Sequence, residues 1–515
     1  MQTNFSRNLE KNLKALQERL HLDVNDDVVL RRFDALGQDC ALLYVEGLSD
    51  GEQMAQHILR PMMNSPLALA GRSTAEQVMQ SVLTVPEVES GPEVSQALDD
   101  LLRGLCLVLM DTCDQALRID LRAYARRPVS NPRNETVVVG PHDAFNETLR
   151  DNLTLLHRRL PSPNFVCQLR KVGTETPGQA ALCYLDGVCP RETVEELQRR
   201  LDGVELDYVL TSGTLEQLIE DDPYAPLPQV VGTERPDRAV SFLMEGQAVL
   251  LLDGSPRALA LPVSLWHLFH APDDSYMRWQ YGTFMRLLRL LGALVTLLLA
   301  LLVTYILTRN QVRPLQDIAQ AARRFPPSPQ LRSRGTASIM QSRTNVPINL
   351  FEETLLMVAV FALINESAIR IPGMMGSSLG LVSTLILGTA AVDAGLVSPL
   401  LIIVVALSGL GSYAMPNYPL SFAFRMGQVV LLLAAGITGI SGLCYAVVML
   451  LCWVAAMESL GQPFLAPGSP RRTHNPDLLL RAPTFRQRLR TYLSNPEEMK
   501  RAYGRMRRFD GRNKE

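Results

Sequence analysis

Four apolar runs behind a polar front half constrain what this chain can fold into. Residues 290–307, 374–392, 394–415 and 426–457 hold about 18, 19, 22 and 32 residues with few charges, and a helix needs about 20 apolar residues to cross a bilayer. The last run would measure roughly 48 Å as a helix, and cutting it in two leaves pieces too short to span. One tilted or kinked helix is therefore expected, bent at Gly436, Gly439 and Gly442. A shorter run, 354–364, lies between Glu352/Glu353 and Glu366/Arg370 and suits an interfacial or re-entrant helix. The mean hydropathy of +0.07 and net charge of −2 average a polar front, this apolar stretch and a basic tail.

Four spans put both ends of the chain on one side. The tail from Arg471 carries 13 Lys/Arg against 5 Asp/Glu, which favours the cytoplasm. The first 35 residues lack a signal-peptide core, which agrees. The segment 309–343, with seven arginines and one acid, falls outside on this topology and conflicts with it. The eight cysteines form no CxxC pair and no disulfide framework, so a reducing compartment is expected for the front half.

The front half repeats itself. ALLYVEGLSD (41–50) returns as ALCYLDGVCP (181–190), and RGLCLVLMDTCDQALRIDL (103–121) returns as EGQAVLLLDGSPRALALPV (245–263). Two blocks recurring at nearly one offset imply two related lobes. Each has a strand ending in an acid-Gly turn, a helical stretch and a hairpin turning at Asp111 to Cys113 or at Asp253-Gly254. The fold class expected is a two-lobed α+β soluble N-terminal domain followed by an α-helical membrane domain. The divisions are lobe 1 over 1–135, a connecting helix and lobe 2 over 136–285, the membrane domain over 286–465 and the basic tail over 466–515. Gly140-Pro141 opens a helix through 160 that buries Phe145, Leu149, Leu153, Leu156 and Leu160 and leaves Arg150, Arg158 and Arg159 outside.

Motifs of catalysis do not carry through. Gly376-Ser377-Ser378-Leu379-Gly380 matches GxSxG in letters, but it opens an apolar span, where small residues serve helix packing. His267 and His270 stand one helix turn apart with no further ligand group beside them. No P-loop, GxGxxG or HExxH is present, so neither an enzyme nor a cofactor is expected. The tail's charge suits lipid headgroups or a topology signal rather than nucleic acid. Glu352, Glu353, Glu366, Arg370, Asp393, Arg425 and Gln428 stand near or within apolar runs, where ionisable and polar groups are functional candidates by default, and Glu366, Arg370, Asp393, Arg425 and Gln428 are the candidates for an ion pathway or its gate. The alternative is that they mark helix ends, Asp393 as a turn with Gly395 and Pro399, and Glu366 with Arg370 as an i,i+4 pair.

DDPYAPLPQVVGTERPDRAVSFLMEGQAVLLLDGSPRALALPVSLWHLFHAPDDSYMRWQYGTFMRLLR (221–289) resembles the A subunit of the GerA-type spore germination receptors. So do VVVGPHDAFNETLRDNLTLLHRRLPSPNF, the paired YVEGLSD and YLDGVCP, AAVDAGLVSPLLIIVVALSGLGSYAMPNYPLSFAFR and ESLGQPFLAP. The resemblance implies a multi-pass protein of the spore inner membrane with cytoplasmic lobes and tail. It also implies a transporter-like B subunit that senses nutrient, a lipoprotein C subunit, and oligomerisation into a ring that opens an ion path. A scaffold that couples the sensing subunit without conducting is the alternative. The chain departs from the family in the long segment 308–338 and in His142-Asp143, where the family favours Arg-Glu.

Overall fold

The computed structural model describes residues 3–65, 74–122, 135, 140–297, 348–370 and 388–470, and of the tail 477–478, 480–483, 487, 489–490 and 496–501. Segment 309–343 and the GxSxG stretch lie outside the described residues.

The repeat produces two five-stranded antiparallel sheets of identical strand order. Lobe 1 contains β1 (Val28–Ala35), β2 (Gln38–Val45), β3 (Val88–Gly91), β4 (Cys106–Met110) and β5 (Ala116–Ile119), ordered β1-β2-β4-β5-β3. Lobe 2 contains β6 (Phe165–Val172), β7 (Gly178–Leu185), β8 (Val231–Thr233), β9 (Ala248–Leu252) and β10 (Ala258–Leu261), ordered β6-β7-β9-β10-β8. The β4–β5 and β9–β10 pairs are the two expected hairpins.

Helices cover both faces of each sheet, which is why the central strands β4 and β9 are buried at every residue instead of alternating. In lobe 1, Ala41, Leu43 and Val45 meet helices Leu9–Leu20 and Val94–Leu102. Cys40 and Leu42 point the other way, to the helical segment 51–64 and to Ala75–Ser81. In lobe 2, Ala181, Cys183 and Leu185 meet Leu149–Arg159 and Pro236–Met244, while Ala180 and Leu182 meet Arg191–Asp202 and Ser212–Ile219.

The connecting helix is shorter than the sequence predicts: it spans Leu149–Arg159, and 141–148 is non-helical. Asn152 explains the difference. Its buried amide accepts from the Asn146 N–H at 2.8 Å and donates to the Asn146 carbonyl at 2.7 Å, holding the preceding turn outside the helix. Lobe 1 does the same with Asn12 and Ser6, at 2.8 and 2.6 Å. The repeat thus extends to Phe5/Phe145 and Asn12/Asn152. Each hairpin acid caps its lobe's first helix, Asp111 accepting from the Leu9 N–H at 3.2 Å and Asp253 from the Leu149 N–H at 3.0 Å.

The lobes join through residues 25–27. The Asn25 amide donates to the Phe165 carbonyl and accepts from the Cys167 N–H, both at 3.2 Å, and Asp26 accepts from the Leu169 N–H at 2.7 Å, so lobe 1 occupies the edge of β6. Fully buried Asp27 holds His157 and, at 3.2 Å, Arg150, which also reaches Glu46 at 3.0 Å. Arg150 is therefore an inter-lobe bridge that stays about one-third exposed.

The apolar half differs from expectation in three ways. The run 354–364 is the middle of a 21-residue helix, Leu350–Arg370. The run 394–415 yields a 15-residue helix, Pro399–Tyr413, because Gly395 turns the chain at a φ of +66° and Pro399 begins the helix anew. The run 426–457 belongs to two helices, Tyr418–Thr438 and Ile440–Ala456, packed against each other. Gly439 separates them at φ +69° and ψ −143°, a conformation that a Cβ opposes. Gly439→Val should cost about 1–3 kcal/mol through backbone strain alone, since nothing lies within 4 Å of a Cβ built there. Thermal unfolding in lipid nanodiscs measures it, and an unchanged midpoint would contradict the assignment.

Among the described residues, Tyr418–Thr438 is the one helix long and apolar enough to cross a membrane by length and composition. Helix 279–297 packs on Pro399–Tyr413 through small residues: a Cβ on Gly292 would lie 2.8 Å from the Gly411 carbonyl oxygen. The Thr296 hydroxyl donates to the Ser408 carbonyl at 3.2 Å across the same contact.

Candidate functional site

Helices Leu350–Arg370, Pro399–Tyr413 and Tyr418–Thr438 enclose a cavity of about 290 Å³. Three of the five candidates chosen from sequence line it: Glu366, Arg425 and Gln428. They converge because 425 and 428 are one turn apart on a helix that packs across the C-terminal half of Leu350–Arg370. Gln428 is buried, and the Arg425 guanidinium donates to the Ser421 hydroxyl at 3.3 Å and lies 5.9 Å from the centre of the Tyr413 ring. Ser408, Ser412 and Tyr418 add hydroxyls, while Phe361, Val405 and Phe422 supply apolar wall. The serines went unnoticed in the sequence, although their i,i+4 spacing within an apolar helix is a readable signal of a shared polar stripe.

Asp393 is not part of this cavity. It is exposed and stands at the end of a helix described over 388–393, where the chain turns through Ala394 and Gly395. The buried acid nearby is Glu353, which the sequence marks as an ionisable group beside an apolar run but which is not among the five pathway candidates. Its carboxylate accepts from the Ser398 N–H at 2.6 Å, satisfying an amide at the start of Pro399–Tyr413. The side chain of Arg370, the fifth candidate, lies outside the described residues.

Polar contacts tie the helices to the lobes at two places among the described residues, beside the apolar contact of Phe424 with Phe269. After Ala456 the chain forms a two-stranded hairpin, Glu458–Ser459 with Gln462–Pro463, that docks on lobe 2. The Ser459 hydroxyl accepts from the Val263 N–H at 3.0 Å and donates to the Gln229 carbonyl at 2.8 Å. Phe464 is wholly buried. At the second place, Asp274 binds Arg286 at 3.2 Å and Arg289 at 2.8 Å, both arginines being on helix 279–297, and Arg286 reaches Asp477 of the tail at 2.7 Å. Burial alone would raise the Asp274 pKa, but the hydrogen bond and charge of Arg289, with the charge of Arg286, hold it below the ordinary carboxylate value. His267 and His270, left aside as metal ligands, face this junction. Ser264 N–H donates to His267 Nδ1 at 3.2 Å, and His270 Nε2 contacts the Leu478 carbonyl at 2.8 Å.

Comparison with known proteins places this architecture. The family model described as Bacillus/Clostridium GerA spore germination protein matches residues 14–493. Spore germination protein B1 of Bacillus subtilis is 31% identical over 95% of this chain and 98% of its own length. Spore germination protein A1 of the same organism is 30% identical, over 90% and 92%. The Bacillus subtilis protein named uncharacterized membrane protein YfkQ is 29% identical, over 96% and 93%. Among solved structures, the N-terminal domain of the A subunit of the Bacillus megaterium spore germinant receptor GerK3 aligns with a TM-score of 0.40 and 24% identity, over 51% of this chain and 98% of that one. With a family match over nearly its whole length and relatives of like extent, the chain belongs to the GerA family of spore germination proteins.

Proposed function

We propose that this chain is the A-type subunit of a nutrient-responsive germination receptor in the spore inner membrane and contributes to a gated ion-release path. Its helices cross the membrane in several passes, with lobes and tail on the cytoplasmic side. It assembles with a transporter-like subunit, a lipoprotein subunit and further copies of itself. The observation that carries the conducting role is the cavity where Glu366, Arg425 and Gln428 meet among helices whose outer faces are apolar. Ile403, Leu407, Leu410, Ile437, Val448 and Leu451 all stand exposed, while Ser408, Ser412, Ser421 and Gln428 are buried. Apolar outer faces, with a few serines and Gln428 buried among leucine, valine and alanine, suit helices solvated by lipid that keep their polar groups away from it.

The scaffold reading draws on the junctions. The hairpin after Ala456 and the Asp274 cluster tie lobe 2 to the helices at two places, as a coupling subunit needs. Ion release from membranes holding the assembled receptor separates the two readings. A unit charge about 12 Å from an ion, at an effective dielectric constant of about 20, is worth about 1.4 kcal/mol, or about tenfold. Arg425→Gln and Gln428→Glu, at matched abundance, should therefore each raise the preference for potassium over chloride by up to about a hundredfold, since one unit of charge favours the cation and disfavours the anion by about tenfold each. Unchanged selectivity in both variants would sink the conducting role and favour the scaffold.

A further inference from the structure

The repeat builds two sheets of one design but leaves their first strands in different states. The outer edge of β6 is filled by residues 25–27, whereas β1 ends the lobe 1 sheet with no strand beyond it among the described residues. Strand pairing locates the equivalent positions. Val45 and Leu185 hold the same place in the repeat, and they face Val28 and Phe165. Val28, Leu30 and Arg32 on β1 therefore correspond to Phe165, Cys167 and Leu169 on β6.

In an antiparallel ladder only alternate residues bond the partner strand. The Glu46 N–H donates to the Asp27 carbonyl at 2.9 Å, so residues 27, 29, 31 and 33 bond towards β2 and Val28, Leu30 and Arg32 turn their backbone groups outward. On β6 the Asp186 N–H on the Asn164 carbonyl, at 2.8 Å, sets the same phase. There Asn25 takes the Phe165 carbonyl and the Cys167 N–H, the Asp26 N–H donates to the Cys167 carbonyl at 2.9 Å, and the Asp26 carboxylate takes the Leu169 N–H. The matching groups on β1 are the Val28 carbonyl, the Leu30 N–H and carbonyl, and the Arg32 N–H. None of them meets a hydrogen-bond partner among the described residues.

Side chains decide what suits this edge. Arg31 is exposed, stands between Leu30 and Arg32 and pairs with no carboxylate among the described residues, which favours an acid at the place of Asp26. Arg150 and His157, which hold Asp27, have Glu10 and Gln17 as their lobe 1 counterparts, so the following place favours an uncharged amide. A second copy of the chain does not meet these terms. Its counterpart of 25–27 is Ser162-Pro163-Asn164, and Pro163 has neither the N–H that Asp26 donates nor a carboxylate.

We propose that β1 is a docking edge for an extended segment of another protein, with the pattern Asn-Asp-Asn, which adds to the lobe 1 sheet as residues 25–27 add to lobe 2. Main-chain hydrogen bonds to Leu30 and Arg32 hold the segment, and its central carboxylate meets Arg31. This assignment does not depend on whether the chain conducts ions.

The test is fluorescence anisotropy of the labelled peptide LDVNDNV, which is segment 22–28 with asparagine in its sixth place, added to the full chain in lipid nanodiscs. Saturable binding is expected, with amide exchange at Leu30 and Arg32 slowing as peptide is added. Arg31→Glu, at an exposed position, should weaken binding about tenfold and leave the thermal midpoint unchanged. The peptide LDVNPNV, which lacks the central N–H and carboxylate, should not bind. Absence of saturable binding, equal binding to the Arg31→Glu chain, or equal binding of LDVNPNV would each overturn the proposal. Tighter binding of LDVNDDV would also overturn it, by pointing to displacement at β6. So would protection of the Leu30 and Arg32 amides before any peptide is added, which would mean that a second copy already fills the edge.

Discussion

Asp274→Ala is expected to cost about 3–5 kcal/mol, the range for removing one partner of a buried ion pair. Arg286 and Arg289 are both nearly buried and would face each other across an empty space, with Asp477 alone left to offset two charges. The sign of the pH dependence follows from the depressed pKa of Asp274. A carboxylate bound more tightly in its ionised form when folded contributes its full stability above the unfolded pKa, about 3.9, and loses it as pH falls through the folded value. The gap between the unaltered chain and the alanine variant should be constant near neutrality and shrink below about pH 4. Denaturant unfolding in nanodiscs at several pH values provides the measurement. A loss under about 1 kcal/mol at neutral pH would mean that the arginines find other partners and that the cluster is not the joint described.

Asp27→Ala is the second large effect, at about 3 kcal/mol. Asp27 is wholly buried between His157 and Arg150, and without it the His157 ring keeps no hydrogen-bond partner, because its Nδ1 already lacks one. Arg150 retains Glu46, which limits the damage. The consequence should be local to the inter-lobe contact. Each sheet keeps its own core, so amide exchange should accelerate at Cys167 and Leu169, whose N–H groups are held by Asn25 and Asp26, and not in β4 or β9. Uniform exchange across both lobes would instead mean that Asp27 supports the whole fold. Asp27→Asn, which keeps hydrogen-bonding capacity without the charge, should fall between the two.

The two lobes were legible because their information is local and written twice. Apolar strands, acid-Gly turns and hairpin signals repeat at offsets of 140 to 142 residues, and two sheets of identical strand order follow. The same offset relates Asn12 to Asn152, which was missed because one asparagine inside a helical pattern looks like an ordinary polar position. Its role appears only when the turn before it comes into hydrogen-bond range. Arg425, Gln428 and Glu366 were legible as polar groups in apolar surroundings. That Asp393 stands apart from them was not, since a carboxylate between two apolar runs reads alike in a turn and in a cavity.

Sequence by itself determined the two related lobes, their hairpins and the presence of polar residues set against apolar runs, because these are written in local patterns and in the repeat. Tertiary structure alone decided that Gly439 ends a helix rather than bending one: the backbone reversal is favoured by packing between Tyr418–Thr438 and Ile440–Ala456, which no local pattern encodes. It alone decided the partners of Asp27 and Asp274, since His157 is 130 residues away from Asp27 and Asp477 reaches Arg286 across 191. Burying a charge is unfavourable until its partner arrives, so the meaning of such residues resides in contacts that exist only once the chain has closed on itself.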